Sequence, residues 1–218
     1  MNNEYQIGLA KETGRVIKSH PSLYDHRPHH PWLIGSLGDP TAGIWFVAEN
    51  PSLTQVERVR VPNGGELTIE TQWSGSRGDK LFREMLVQYG FKTGSVESPD
   101  GWKCYITNVI KEADYTKNWR EKSQTEREKA AEIWSSVFNW ELKNSNPKLV
   151  VLMGGQANLL MNHLVSIGKI KLPRVEQITH YAYIGQRAQG HLGPMHPQRI
   201  EAYSKEFARI RKVFDSLM

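Results

Sequence analysis

Gly43-Ile44-Trp45-Phe46-Val47-Ala48-Glu49-Asn50-Pro51-Ser52 is an apolar run that stops abruptly at a carboxylate, an amide, a proline and a hydroxyl. A short apolar run closed by turn residues predicts a buried strand, and the stop puts polar groups at its carboxyl end. In open α/β sheets that edge is where ligands bind, because side chains and backbone amides converge there on a crevice between loops. Three later stretches make the same kind of transition: Cys104-Tyr105-Ile106-Thr107-Asn108-Val109-Ile110-Lys111, Lys148-Leu149-Val150-Val151-Leu152-Met153-Gly154-Gly155, and Val175-Glu176-Gln177-Ile178-Thr179-His180.

Helical periodicity fills the gaps between them. Leu81, Phe82, Met85, Leu86 and Tyr89 trace one helical face, closed by Gly90. Ser123 and Glu126 have capping-box spacing ahead of a helix that buries Ala130, Ile133, Trp134, Val137 and Phe138 and ends at Asn144 to Pro147. A further helix is predicted from about Gln156 to Ile167, and Pro197 suits the first position of a last one packed through Ile200, Tyr203, Phe207, Ile210, Phe214 and Leu217. Strands alternating with helices predict a three-layer α/β/α fold around a central, mostly parallel four-stranded sheet.

The chain has 218 residues, 39% of them hydrophobic, enough for one sizeable core. A single domain over residues 1–218 is expected. Residues 1–40 should wrap it, since Pro21, Pro28, Pro31 and Pro40 break any long helix there. The single Cys104, inside an apolar strand, rules out a disulfide framework or a four-cysteine cluster built from this chain alone, and a reducing, cytoplasmic setting is expected. No apolar stretch approaches the roughly 20 residues of a membrane span, and the amino terminus lacks an apolar signal core, so no membrane association is expected. A monomer is expected. The net charge of +5 suits a polyanionic partner such as DNA, although many soluble enzymes are equally basic. The His26-Arg27-Pro28-His29-His30 cluster lacks carboxylates or cysteines at ligand spacing, so neither a metal nor another cofactor is expected.

Taken in order, these parts resemble the uracil-DNA glycosylase superfamily over about residues 40 to 218. Ala48-Glu49-Asn50-Pro51-Ser52 is similar to the family's first strand-end loop, with alanine for its opening glycine. Trp73-Ser74-Gly75-Ser76-Arg77-Gly78 matches a stacking aromatic a few residues ahead of a Gly-initiated helix. Thr107-Asn108-Val109-Ile110-Lys111 fully matches the Thr-Asn-X-X-Lys end of the second strand, and Gly154-Gly155 matches the Gly turn after the third. The family's last motif, a His-Pro-Ser-like turn, has three candidates. His20-Pro21-Ser22 precedes the first strand and is out of order. His196-Pro197-Gln198 directly opens the final helix. His180 ends a strand and leaves room for a DNA-inserting loop, so topology selects His180, with His196 as the alternative. The loss of both Pro and Ser after His180 is the main departure from the family.

The resemblance implies a DNA glycosylase that flips its target nucleotide and cleaves the N-glycosidic bond by water attack. Such an enzyme needs a flat face and edge-reading hydrogen bonds for the extruded base. Trp73 would supply the face, and the carboxamide of Asn108 offers a donor and an acceptor to a uracil-like edge. Cleavage leaves negative charge on the departing base, which His180 would stabilise as a donor. Asn50 can position water without accepting its proton, and Glu49 is the alternative carboxylate. Ser52 stands where some family members place a bulky tyrosine, which opens the C5 side of the base pocket. Ile184 or Arg187, on the loop after His180, would enter the DNA, and Lys111 is a further expected DNA contact. Without a lysine nucleophile in the strand-end motifs, a monofunctional hydrolase is expected. A second reading is a catalytically weak nucleic-acid-binding relative of the same fold. A nucleotide-binding enzyme unrelated to repair is disfavoured by the lack of a Walker-type loop or dinucleotide Gly fingerprint.

Overall fold

The computed structural model describes residues 3–23, 37–52, 76–98, 100–185 and 192–218. Among these residues, five strands form one sheet: β1 (Leu37–Gly38), β2 (Ile44–Ala48), β3 (Tyr105–Asn108), β4 (Leu149–Met153) and β5 (Arg174–Ile178), in the order β1-β3-β2-β4-β5. The last four are mutually parallel, and β1 runs antiparallel to β3. The sheet thus has one strand more than expected. A two-residue strand carries no periodicity, so β1 leaves no pattern to read.

The central strands β2 and β4 are buried at every position. This is why both read as continuous apolar runs, as strands covered on two faces must. One face packs against α1 (Asn3–Ser19), α4 (Gln124–Ser145) and α5 (Gly155–Ser166), through Trp45, Tyr105, Trp134, Phe138 and Leu160 among others. The opposite face packs against α2 (Arg77–Gln88) and α7 (Pro197–Asp215), with Phe46 stacked on Phe207. Two short helices, α3 (Thr116–Glu121) and α6 (Tyr181–Gly185), lie in the loops after β3 and β5.

The capping box of α4 forms as its spacing predicts, and Pro197 occupies the first turn of α7. Two local readings change. Residues 3–19 form a helix where prolines were expected to prevent one; every proline of that region lies beyond its end, and Tyr5, Leu9, Thr13 and Val16 bury a helical face against α4. The expected loop of 115–122 contains α3, whose Trp119 is buried.

The connection from β2 leads outward to β3, and that from β4 leads the other way to β5. This reversal opens a crevice beyond the carboxyl ends of the central strands. One wall of it depends on two glycines. Gly78, at the start of α2, faces Gly185, the end of α6, and a methyl at Gly78 would collide with the carbonyl oxygen of Tyr181. Gly78→Ala is therefore expected to destabilise the protein by about 1–3 kcal/mol through overpacking. Urea unfolding would measure this. An unchanged midpoint would show that α6 shifts without cost.

Candidate active site

The strand register sets the site's dimensions. Ala48 pairs with Asn108, Val47 with Leu152, and Met153 with Ile178, so a single row crosses the carboxyl edge of the sheet. Asn108 ends that row on β3. Asn50 lies two residues past it on β2, and His180 two residues past it on β5. With strands about 4.8 Å apart, Asn108 is roughly one spacing and His180 roughly two spacings, about 10 Å, from the β2 end.

The segments leaving β2 and β3 continue side by side. Val109 N–H donates to Ala48 O (2.9 Å), Ile110 N–H to Glu49 O (3.0 Å) and Asp114 N–H to Pro51 O (3.3 Å). This ladder carries Glu49 and Asn50 along the chain that follows Asn108. Glu49 Oε1 accepts from Trp119 Nε1 (2.7 Å) on α3 and from Arg127 (3.5 Å) on α4. Burial raises the Glu49 carboxyl above its ordinary value, against the opposing pull of Trp119 and Arg127. Asn50 Nδ2 donates to Pro51 O (3.3 Å), which turns the amide back on its own turn and keeps Oδ1 as an acceptor. The Ser52 and Thr116 hydroxyls are hydrogen-bonded at 2.8 Å.

His180 is held from three sides. Glu206 of α7 accepts from the N–H (2.7 Å) and the hydroxyl (2.8 Å) of Thr179, fixing the residue before it. Gly154, at a φ of 88° that side chains avoid, lies so close that a Cβ there would sit 3.0 Å from His180 Cβ. The glycine thus lets the histidine of an edge strand lean over the end of β4. Tyr181 stacks on the imidazole at 4.3 Å between centroids. A cleft of about 490 Å³ adjoins the ring, lined by Gly154, Gly155, Gln177, Thr179, Tyr183 and Glu206.

The protonation state follows from the contacts. Ala182 N–H donates to His180 Nδ1 (3.1 Å), so Nδ1 carries no proton. Burial pushes the imidazole pKa down to about 4. At neutral pH the ring is then neutral, with its single proton on Nε2, a hydrogen-bond donor without net charge. The same shift has a cost in acid. The unfolded histidine, with an ordinary value near 6.5, takes up a proton before the folded one does. Stability from neutral His180 is therefore complete above about pH 6.5 and is lost as pH falls from about 6.5 to 4. His180→Gln should flatten the stability profile through that window, as read from urea midpoints. Parallel profiles would contradict the burial argument.

Two expected DNA contacts are corrected. Lys111 has a side chain 0% exposed and an ion pair with Glu141 at 2.6 Å, so its ammonium faces the core and not a ligand. Ile184 is only 4% exposed and packs with the α2 and α7 core, because the face of α6 that carries it turns inward. The neighbouring Tyr183 is 58% exposed instead. Trp73, Arg187 and the His26–His30 cluster lie outside the described residues. His196 caps α7 by accepting from Gln198 N–H (3.3 Å). Ten residues of helix separate it from Glu206, about 15 Å at 1.5 Å per residue, so it stands well beyond Thr179 and the strand ends.

Glu206, Glu141 and the Trp119–Arg127 pair around Glu49 were not anticipated. A signal existed for the two acids. Glu141 continues the buried stripe of Trp134 and Phe138, and Glu206 adjoins Tyr203 and Phe207, so each is a charge beside an apolar face that needs a partner.

Among the described residues, no helix is long and apolar enough to cross a membrane. The family model of the Uracil DNA glycosylase superfamily matches residues 36–217, from β1 to the end of α7. No curated protein matches the chain.

Proposed function

Because the chain belongs to the uracil DNA glycosylase superfamily, whose members act on DNA, we propose that it hydrolyses the N-glycosidic bond of uracil, or of a related deaminated or oxidised base, in DNA. The observation that carries this reading is the placement of His180, whose ring is fixed at the carboxyl edge of the sheet with Nδ1 accepting from Ala182 N–H, which makes Nε2–H the donor it can offer a base. Donors aimed where charge develops are the valuable groups in such a reaction. The base departs with the electron pair of the broken bond, and His180 stabilises the negative charge that collects on its oxygen. Water adds to the sugar carbon. Asn50 Oδ1 orients that water, and Glu49 accepts its proton, helped by a carboxyl whose affinity for protons burial has raised. Asn108 reads the base edge and Trp73 stacks on its face. Water attack is favoured over an imine intermediate because Lys111, the lysine of the β3 motif, is enclosed with Glu141.

Incubation with uracil-containing single- and double-stranded oligonucleotides, followed by alkaline cleavage at abasic sites, tests the reading. Cleavage at the uracil is expected. Salt-sensitive DNA binding without cleavage would replace it with a non-catalytic nucleic-acid-binding role.

Ser52 extends the reading to substrate choice. A small side chain leaves the C5 side of the base open, and one methyl-sized group changes discrimination by about 1–3 kcal/mol. The wild type is expected to excise 5-hydroxymethyluracil as well as uracil, and Ser52→Tyr to lose the former selectively. If the wild type rejects every 5-substituted base and the tyrosine variant behaves identically, Ser52 does not form that wall.

A further inference from the structure

The spacing Thr107-Asn108-Val109-Ile110-Lys111 acquires a physical meaning once Glu141 of α4 is included. Lys111 Nζ lies 2.6 Å from Glu141 Oε2 and donates to Thr107 Oγ1 at 2.5 Å, and that hydroxyl donates to Glu141 Oε1 at 2.9 Å. Tyr105 donates to the same Oε1 at 2.9 Å and receives a bond from Tyr5 of α1 at 3.2 Å. Both charged side chains are 0% exposed, with Lys111 Nζ 5.7 Å from the Phe138 ring centroid.

A buried ion pair is a poor device for stability, since well-packed apolar residues of the same volume usually serve as well. Its geometry offers something an apolar pair cannot. Thr107 and Lys111 tie both ends of a three-residue segment to one carboxylate, while Val109 and Ile110 donate to the carbonyls of Ala48 and Glu49. Asn108 sits inside that closed ring. Strand alternation turns Tyr105 and Thr107 towards α4 and Asn108 towards the other face.

We propose that Thr107, Lys111 and Glu141 form a positioning staple that fixes the orientation of Asn108, making Thr107 and Lys111 positioning residues for base recognition. The inference rests on the glycosylase reading for its catalytic consequence. A displacement of about 1 Å at such a group costs up to about 100-fold in rate.

The test uses the full chain. Thr107→Val removes the hydroxyl at nearly constant shape, and Thr107→Ser restores it. Thr107→Val is expected to lower kcat for uracil excision about 10- to 100-fold with little change in KM, and Thr107→Ser to recover within a few-fold. In an Asn108→Ala background, Thr107→Val should cost nothing further, because the residue acts through Asn108. The carboxamide NH₂ signals of Asn108 in a ¹⁵N-labelled sample, recorded without DNA, should shift and exchange faster in Thr107→Val. If that variant does not fold, the volume-matched Lys111→Met/Glu141→Met pair takes its place with the same expectations. Equal losses with and without Asn108, or wild-type kinetics and unchanged Asn108 signals in a folded variant, would overturn the staple. A wild type that releases no base sinks the glycosylase reading instead, and the Asn108 signals then still decide the staple.

Discussion

His180→Ala is expected to lower the rate of uracil excision by about 100- to 1,000-fold, the usual cost of deleting one donor aimed at developing negative charge. The loss should fall on kcat, since the donor matters most when the base carries its charge. Single-turnover kinetics on a uracil-containing oligonucleotide would measure it. The matching variant His196→Ala removes a helix cap, worth about 1 kcal/mol, from a position some 15 Å up α7 from Glu206, and should leave the rate within a few-fold of wild type. The reverse pattern would transfer the catalytic role to His196. His180→Gln adds a chemical check. An amide can donate where Nε2–H does, so this variant should retain more activity than alanine.

The second large effect is on stability. Lys111→Met leaves Glu141 in the core without its partner, and breaking a buried pair from one side costs about 3–5 kcal/mol. For a chain of this size that lowers the melting temperature by roughly 6–20 °C, at about 2–4 °C per kcal/mol. Lys111→Met/Glu141→Met should recover most of it, because the pair is then replaced together. Calorimetry of the two variants decides the matter. If the single variant melts with the wild type, the ion pair contributes little.

The core of the fold was legible because its signals are local. β2 and β4 are buried on both faces and read as unbroken apolar runs, while the Ser123–Glu126 box and Pro197 announce the helices they open. β1 was missed since two residues have no period, and α1 was missed because nearby prolines outweighed the spacing of Tyr5, Leu9 and Val16. At the site, the register that aligns Ala48, Asn108, Met153 and Ile178 follows from four strands ending together, so the residues just past them could be named from sequence. Side-chain direction could not. Lys111 reads as a basic residue in a ligand-binding motif, and only its long-range partner Glu141 turns it inward. Ile184 reads as an apolar insertion residue until the Gly78–Gly185 contact fixes which face of α6 is covered. Glu206 holds Thr179 across 27 positions of sequence, a separation that local patterns do not report.

Base excision is expected to depend on the strand-end residues Asn50, Asn108 and His180. The most direct test is free-base release from a uracil-containing oligonucleotide, followed by mass spectrometry with enzyme in excess, for the wild type and the Asn50→Ala/Asn108→Ala/His180→Ala variant. The predicted result is stoichiometric uracil and an abasic strand from the wild type, and none above background from a triple variant that still folds. Intact uracil DNA after incubation with the wild type, or equal release by both proteins, would contradict it.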